Sequence, residues 1–319
     1  MILCVAGNPS IDKLFEVQEC RVGEIHRPEH FIQLPGGKGI HVAQVATVLG
    51  AASVVTGLLA GHAGRWIAET LDAEGVEGRF TWGVGETRSS LSVADRATGR
   101  LTEFYEAGTS LTPQEWQAVK SIVLSLLPRA SWVAIAGSLP PGVPVDGYAE
   151  LMEMSRRAGV TVALDSRGDA LAHAISAEPE VVKINVHEAG ELLGESISGL
   201  DQTHAAARRI RAQAGGQGHA AVITRGEEGV VSVDPSGAAW RGSLHARGRY
   251  PVGSGDAFLG GLLVGLERDH SWPRAIALGL GAAAANAELP GAALMDPKRV
   301  RQLAGEADVQ ALEGAELSD

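Results

Sequence analysis

Residues 181–224 read VVKINVHEAGELLGESISGLDQTHAAARRIRAQAGGQGHAAVIT. Two short apolar runs, Val181–Ile184 and Ala220–Thr224, flank an amphipathic stretch at His204–Ala214. A short apolar run bounded by polar residues is typical of a buried strand, and a longer amphipathic stretch is typical of a helix. The segment therefore predicts a strand, a crossover helix and a second, parallel strand.

The same alternation extends along most of the chain. Further strands are predicted at Ile2–Ala6, Val54–Leu59, Ser131–Ala136 and Val160–Leu164, and further helices at Gly39–Leu49, Arg65–Glu74, Pro113–Leu127 and Tyr148–Ala158. This order predicts an α/β fold with a central, mostly parallel sheet covered by helices on both faces. In such sheets ligands bind beyond the carboxyl ends of the strands, so the residues that close each apolar run are candidates for a site.

Two segments interrupt the alternation, at about 14–34 and 87–105. Their polar and apolar residues alternate, which predicts β-ribbons inserted into the α/β core as a small sheet-like lid. Residues 229–248 are expected to form hairpin strands, and the acidic tail 304–319 to end a final helix with a solvated end. With neither a repeat nor a linker, residues 1–319 are expected to form a single domain.

Composition excludes several classes of function. Of the 319 residues, 45% are hydrophobic and 4% aromatic, and the formal net charge is −11. An acidic surface repels phosphate backbones and anionic lipids, so neither nucleic acid nor a membrane is an expected partner. Cys4 and Cys20 lack metal-binding spacing and are expected to be reduced, buried thiols. No segment contains the ~18 apolar residues of a membrane span, and a cytoplasmic protein is expected.

A Gly-x-Gly loop precedes Asp256 at the start of a helix rich in small residues. The backbone N–H groups of Gly253–Gly255 and the helix N-terminus together suit an anion such as a phosphate. Asp256 could accept a proton from a hydroxyl that attacks that phosphate. From this motif alone, a simple N-cap role for Asp256 remains the alternative.

Three weaker motifs accompany this loop. Gly36–Gly39 opens a helix and lets the backbone approach a polar ligand, with Lys38 supplying charge; a tight turn with a solvated lysine is the alternative. Asn185 and Glu188 share a helix face and could hold water around Mg²⁺, or form a helix cap. Residues 224–229 suit a nucleotide phosphate and equally a hairpin turn.

The order of these motifs resembles that of the ribokinase-like (PfkB) carbohydrate kinases. The motifs are Asn8-Pro9-Ser10-Ile11-Asp12, the Gly36–Gly39 string, Gly137-Ser138-Leu139-Pro140-Pro141-Gly142, Asn185 with Glu188, and Gly253-Ser254-Gly255-Asp256. The resemblance covers residues 2 to about 291. The first and third motifs, with Glu86-Thr87-Arg88, are similar to a branch that phosphorylates sugar phosphates, such as 1-phosphofructokinase and tagatose-6-phosphate kinase.

The resemblance implies a ribokinase-like fold, ATP and Mg²⁺ as cofactors, and a role for each matched residue. Asp256 is the implied base, with Gly253, Ser254 and Gly255 as its anion hole. The implied nucleotide and Mg²⁺ residues are Lys183, Asn185, Glu188, Thr224, Gly226, Gly229 and Asn286, and the implied substrate residues are Asp12, Arg27, Gly37, Lys38, His41, Arg88 and Ser138. Arg27, Lys38 and Arg88 are expected to hold the substrate's own phosphate.

His41 departs from the family pattern, which usually has Asn after Gly-Gly-Lys-Gly-Ile. Histidine is bulkier and titratable, so it could change which sugar hydroxyl is recognised. A kinase of an unphosphorylated sugar or nucleoside, and a non-catalytic sugar-phosphate sensor, are the alternative functions. Assistance by a monovalent cation is left open, and exposed lid edges favour a homodimer through the β-lid.

Overall fold

The computed structural model describes residues 1–246 and 248–312. Its strands are β1 (Ile2–Ala6), β2 (Ser10–Val17), β3 (His30–Gly36), β4 (Ser53–Ala60), β5 (Glu77–Gly83), β6 (Arg88–Asp95), β7 (Leu101–Tyr105), β8 (Trp132–Ala136), β9 (Thr161–Asp165), β10 (Val181–Asn185), β11 (Ala220–Thr224), β12 (Val230–Val233), β13 (Ala239–Ser243) and β14 (Asp308–Ala311). Its helices are α1 (Lys38–Val48), α2 (Gly61–Ala73), α3 (Pro113–Leu126), α4 (Gly147–Arg157), α5 (Gly168–Ile175), α6 (Val186–Leu193), α7 (Gly199–Gln213), α8 (Ser254–Glu267), α9 (Trp272–Glu288) and α10 (Pro297–Glu306).

The large sheet has ten strands in the order β14-β13-β12-β11-β10-β9-β8-β1-β4-β5. From β11 to β5 every neighbouring pair is parallel, whereas β12, β13 and β14 add antiparallel strands at one edge. The parallel strands are short apolar runs because both of their faces are covered. The predicted strand–helix alternation is confirmed, with boundaries within a few residues of those expected.

Two apolar clusters hold the helices against the two faces of this sheet. One packs α1, α2, α8, α9 and α10 through side chains such as Ile40 and Leu259, and the other packs α3 to α7 through side chains such as Trp116 and Leu151. These side chains are almost fully excluded from solvent. Because helices from both ends of the chain share one cluster, α1 and α8 are brought side by side, which places the two Gly-rich loops at one edge of the sheet.

A second, small sheet contains four strands in the order β3-β2-β6-β7. β2 pairs with β3 and β6 with β7 in antiparallel fashion, whereas the central pair, β2 and β6, is parallel. The two segments predicted as inserted ribbons therefore join in one sheet. Every residue of β7 is exposed, so this sheet has an open edge.

Two expectations need correction, and a third is confirmed with narrower bounds. The tail does not end as a helix, because Asp308–Ala311 forms β14 and pairs with β13; residues 313–319 lie outside the described residues. Cys4 is buried, but Cys20 is exposed, so the prediction of two buried thiols is wrong for the latter. The hairpin expected at 229–248 is confirmed, but its strands end at Ser243. Within 1–246 and 248–312, no helix is long and apolar enough to span a membrane.

Candidate active site

Polar residues from five neighbouring strands converge at the carboxyl edge of the parallel sheet. Asn8 follows β1, Ser138 follows β8, and Asp165, Asn185 and Thr224 end β9, β10 and β11. Parallel strands point their carboxyl ends toward the same edge, where ligands bind in open α/β sheets. The strand order thus brings together residues that are more than two hundred positions apart in the chain.

The loop before α8 forms an anion-binding turn. Gly253, the N-cap of α8, has φ +79°, and a Cβ atom there would lie 2.5 Å from Cβ of Ala292, so only glycine fits. Ser254 donates its backbone N–H to the Pro251 carbonyl at 3.1 Å, whereas the N–H groups of Gly255 and Asp256 have no acceptor within the described part of the chain. The Gly253 N–H has no acceptor there either, so of the three amides expected to hold an anion those of Gly253 and Gly255 are open and that of Ser254 is bonded.

The side chain of Asn286 holds this loop in place. Its side-chain amide donates to the Val252 carbonyl at 2.8 Å and to Ser254 Oγ at 3.2 Å, and its Oδ1 accepts the Ala293 N–H at 2.7 Å. The side chain is fully buried. The resemblance implied a place for Asn286 at the nucleotide; in the structure its Nδ2 holds the anion loop and its Oδ1 holds the segment after α9.

A buried carboxylate organises two lysines beside the loop. Asp165 accepts from Lys38 Nζ through Oδ1 and from Lys183 Nζ through Oδ2, both at 2.6 Å. Burial alone would raise the pKa of Asp165, but the two ammonium groups hold it below its usual range. A Cβ atom at Gly255 would lie 3.0 Å from Lys183 Nζ, so this ammonium group lies against the anion loop. Lys183 is thus placed to neutralise an anion bound there.

Lys38 lies on the side of the site where Lys183 and Asp165 are found. Its Nζ lies 3.2 Å from Glu188 Oε1 as well as beside Asp165. Burial opposes its charge, but these carboxylates and nearby Asp256 raise the pKa of Lys38. Lys38 therefore lies beside Glu188, one of the expected Mg²⁺ residues, and its expected contact with the substrate phosphate stays a prediction.

Asn185 and Glu188 form a reciprocal cap at the start of α6. Asn185 Oδ1 accepts the Glu188 N–H at 2.8 Å, and Glu188 Oε2 accepts the Asn185 N–H at 2.9 Å. Within the described ranges, no group of three His, Cys, Asp or Glu side chains could cage a metal ion. Mg²⁺ usually keeps several waters and uses one or two carboxylates together with substrate phosphates. Glu188 with its neighbouring amide fits that second kind of site.

His41 connects Asp256, the candidate base, to Asp12, one of the expected substrate residues. Its Nδ1 lies 2.7 Å from Asp256 Oδ2, and its Nε2 lies 3.4 Å from Asp12 Oδ2. Asp12 also accepts from Ser10 Oγ at 2.6 Å. A Cβ atom at Gly36 would lie 2.1 Å from Asp12 Cγ, so the glycine permits this close approach. Gly37 lies one residue further, as the N-cap of α1.

Arg88 begins β6 and closes the opposite side of the site. It donates to the Asn8 carbonyl from Nε at 3.2 Å and from Nη2 at 3.1 Å. Asn8 Nδ2 lies 3.4 Å from Ser138 Oγ, which brings the three predicted motifs together. Arg27 lies in the exposed connection between β2 and β3, and no hydrogen bond or ion pair joins it to these residues within the described chain.

Arg167 is a second cation at this side that the sequence did not single out. It lines a cavity of about 540 Å³ together with Ser138. Burial lowers the pKa of Arg88, and the like charge of Arg167 lowers it further. Arg88 reaches the same region through Asn8, whose carbonyl accepts from it and whose Nδ2 lies 3.4 Å from Ser138 Oγ. Asp165 was also missed, although it directly follows the predicted apolar run Val160–Leu164. Since ligands bind beyond the carboxyl ends of parallel strands, its position could have identified it as a site residue. Arg167 carries no such signal.

The turn after β11 contains the remaining predicted nucleotide residues. Gly226 begins a short 3₁₀ turn that ends before Gly229, whose N–H and carbonyl both bond within the turn. Thr224 pairs with Asn185 in the register of β10 and β11. The turn therefore lies beside Asn185 and Glu188, at the same edge of the sheet as the anion loop.

Comparisons with known proteins agree with this geometry. Residues 3–299 match the pfkB family carbohydrate kinase pattern. The chain is similar to 1-phosphofructokinase of Rhodobacter capsulatus, with 32% identity over 296 residues, 88% of this chain and 90% of that protein. A structure of Escherichia coli phosphofructokinase-2 in complex with substrates and products is similar at TM-score 0.86 and 25% identity, covering 95% and 97% of the two chains. Arabidopsis thaliana ribokinase, complexed with ribose and ATP, is similar in fold at TM-score 0.75 and 18% identity, covering 95% and 98%.

Proposed function

The chain belongs to the pfkB family of carbohydrate kinases, and on this basis we propose that it phosphorylates fructose 1-phosphate with ATP. Family membership makes it an ATP-using kinase, and the similarity to a 1-phosphofructokinase supports the hexose-phosphate branch. The fold is ribokinase-like, as the sequence resemblance implied. The choice of fructose 1-phosphate over tagatose 6-phosphate rests on that relative.

One observation carries the proposal. Asp256 lies in the first turn of α8, beside the open amides of the anion loop, and only its Oδ2 is bonded to the described protein. Oδ1 is then available to the acceptor hydroxyl. We infer that Asp256 takes the hydroxyl proton while the hydroxyl oxygen bonds to the γ-phosphorus and the bond to the leaving ADP oxygen breaks.

The charge on the transferring group is met by groups that are already in place. The N–H groups of Gly255 and Asp256 lie in the first turn of α8, and the ammonium of Lys183 would lie 3.0 Å from a Cβ atom at Gly255. Such preorganised donors stabilise charge where it develops. Thr224, Gly226 and Gly229 lie at the adjoining strand end and would contact the nucleotide.

Glu188 and Asn185 would hold Mg²⁺ through water, beside the nucleotide phosphates. The ion, when bound with ATP, supplies charge neutralisation of the phosphate oxygens. Lys38 and Lys183, both bound to Asp165, supply further positive charge on this side.

We assign the phosphate that the sugar already carries to the side of the site opposite Lys38 and Lys183. Arg167 and Ser138 line one cavity there, and Arg88 is bonded to Asn8, which lies beside Ser138. A guanidinium can grip a phosphate with two hydrogen bonds. In a chain of net charge −11, this pair offers a local site for an anionic sugar.

The small sheet is proposed as a lid and as the interface of a homodimer. Asp12 lies on β2 and faces the site, whereas Phe15, Phe31, Leu91 and Phe104 lie on the opposite face of the sheet by register. Phe31 is 56% and Phe104 60% exposed. An exposed apolar face on a sheet with an open edge favours pairing with a second copy, which would also help to exclude water from the site.

A coupled assay of ADP release tests the function. The panel contains fructose 1-phosphate, fructose 6-phosphate, tagatose 6-phosphate, fructose and adenosine. We expect the highest kcat/KM with fructose 1-phosphate; a higher value with fructose or adenosine would contradict the proposal. Binding of the sugar phosphates without turnover of any acceptor would instead favour a sensor. Replacing potassium with a bulky organic cation in the same assay tests for monovalent cation dependence.

A further inference from the structure

His41 lies between two carboxylates that belong to different parts of the fold. Asp256, on α8, lies 2.7 Å from its Nδ1, and Asp12, on β2 of the small sheet, lies 3.4 Å from its Nε2. His41 itself is on α1 and is 3% exposed. One imidazole ring therefore spans the distance between the proposed base and the proposed sugar-binding carboxylate.

The charge state of the ring follows from its neighbours. An ionised carboxylate can only accept hydrogen bonds, whereas a neutral imidazole has only one N–H to donate. A neutral His41 ring would therefore direct a nitrogen lone pair at one of the two carboxylates. A doubly protonated ring can donate on both sides. Burial would lower the pKa of His41, but hydrogen bonds and charge from Asp12 and Asp256 raise it to about 10. His41 is accordingly an imidazolium at neutral pH.

The two nitrogens differ in how well they are satisfied. Nδ1 makes a short hydrogen bond to Asp256, whereas buried Nε2 has no well-aligned partner. A small movement of Asp12 would complete the second bond. Within the described chain, His41 is the sole ion-pair partner of Asp256, because Lys38 in the same helix is committed to Asp165 and Glu188.

We propose that His41 is a positioning residue that couples occupancy of the sugar site at Asp12 to the orientation of the base Asp256. Nδ1 holds Oδ2 of Asp256, which leaves Oδ1 toward the acceptor hydroxyl. Nε2 lies 3.4 Å from Asp12 Oδ2, and a sugar hydroxyl bound to that carboxylate would bring it into the second hydrogen bond. The proposal rests on the proposed function and deepens it: the single positive charge also offsets repulsion between the two carboxylates and an anionic sugar.

Two substitutions separate the two contacts. In His41→Asn the amide nitrogen occupies the position of Nδ1, so the bond to Asp256 is kept and the reach to Asp12 is lost. In His41→Gln the amide nitrogen occupies the position of Nε2, so the opposite holds. Exposed His62, replaced by Asn, serves as a control for the chemistry of the change.

Steady-state kinetics with fructose 1-phosphate should separate the two contacts, one through KM and the other through kcat. For H41N we expect a KM for the sugar raised about tenfold with kcat within about threefold of wild type. For H41Q we expect kcat lowered about 10- to 100-fold, the range of a lost hydrogen bond to a charged group, with a smaller change in KM. The KM for ATP should be unchanged in both. Equal losses of kcat in both variants, or no change in either, would overturn the proposal.

The same split is measured with whichever panel sugar the wild-type enzyme phosphorylates best. Absence of turnover of fructose 1-phosphate by wild type therefore contradicts the proposed function and not the role of His41. If the variants unfold, ¹⁵N-histidine NMR of the wild type provides the test. One of the ten histidines should keep both ring protons at about pH 8.5 and shift on sugar binding. Ten neutral rings, or a charged ring that ignores the sugar, would overturn the proposal.

Discussion

The ammonium of Lys183 lies 2.6 Å from Oδ2 of Asp165, in an ion pair whose side chains are 3% and 0% exposed. The other oxygen of Asp165 holds Lys38 at the same distance. Since these residues come from β10, β9 and the start of α1, the carboxylate joins three separate elements at the edge of the sheet. It fixes two positive charges next to the anion loop before any anion is bound.

Replacing Asp165 with Asn should therefore affect both stability and nucleotide binding. Removing one partner of a buried ion pair leaves uncompensated charge and costs about 3–5 kcal/mol. We expect a decrease of that size in the free energy of unfolding by urea, and a raised KM for ATP because Lys183 loses its orientation. Exposed Asp72, replaced by Asn, is the control. Unfolding curves that match wild type would show that the pair is not needed.

Replacing Asp256 with Asn should remove the base while keeping the shape of the side chain. We expect kcat to fall by several orders of magnitude, since Asn cannot accept the hydroxyl proton. Thermal unfolding should change little compared with this loss. Asp269 near the other end of α8 has φ +54°, which Asn tolerates, so D269N is a matched control. Turnover of D256N near the wild-type rate would show that another group is the base.

The sequence predicted the fold well because the signal is local. The apolar runs of β4, β8, β10 and β11 are each long enough for one strand and stop at a glycine or a polar residue, and the helices between them are amphipathic. The tail was misjudged because β14 has only four residues, too few for their alternation to mark a strand, and it owes its strand conformation to pairing with β13. Pairing energy of this kind cannot be read from the segment itself.

The site was predictable where a motif marked it and not where contacts depend on tertiary structure. The glycine of the anion loop and the carboxylate of Asp256 carry their own signals. Arg167 does not, because its place beside Ser138 in one cavity depends on how the loops after β8 and β9 meet in the folded chain. The bridge made by His41 was equally hidden, since β2 and α8 meet only in the folded chain.

Removing either guanidinium should weaken binding of phosphorylated sugars selectively. For Arg88→Ala and Arg167→Ala we expect KM for fructose 1-phosphate to rise about 10- to 100-fold, the range of a lost charge-assisted hydrogen bond. KM for fructose, which lacks the phosphate, should change much less. Exposed Arg100 on the small sheet, replaced by Ala, controls for loss of positive charge. An equal rise for both sugars would argue against a phosphate role.

The raised pKa of His41 predicts a dependence of stability on pH. Its pKa is about 10 in the fold and 6.5 for an unperturbed histidine, so the folded state binds an extra proton between these values. The stabilisation is fully present below pH 6.5 and is lost as pH rises through about 10, by at most roughly 1.4 kcal/mol per pH unit. Asp12 from β2 and Asp256 from α8 face the ring, with Lys38 on its own helix.

The measurement compares the free energy of unfolding of wild type and His41→Asn by urea denaturation across this window. Subtracting one curve from the other removes the titration of the other groups. We expect the difference to shrink steadily as the pH is raised. A difference that is independent of pH would mean that the ring is neutral in the folded protein.

A charge on the outer face of the small sheet should separate a dimer. Phe31 and Phe104 lie on that face by register and are more than half exposed. A glutamate at either position would have to be desolvated in an apolar interface, which is costly without a partner. We expect F31E and F104E to shift the mass in analytical ultracentrifugation from two chains to one. Leu124 on α3 is 57% exposed and lies on another element, so L124E should leave the mass unchanged. A wild-type protein that sediments as a single chain, or variants that keep the wild-type mass, would place the interface elsewhere.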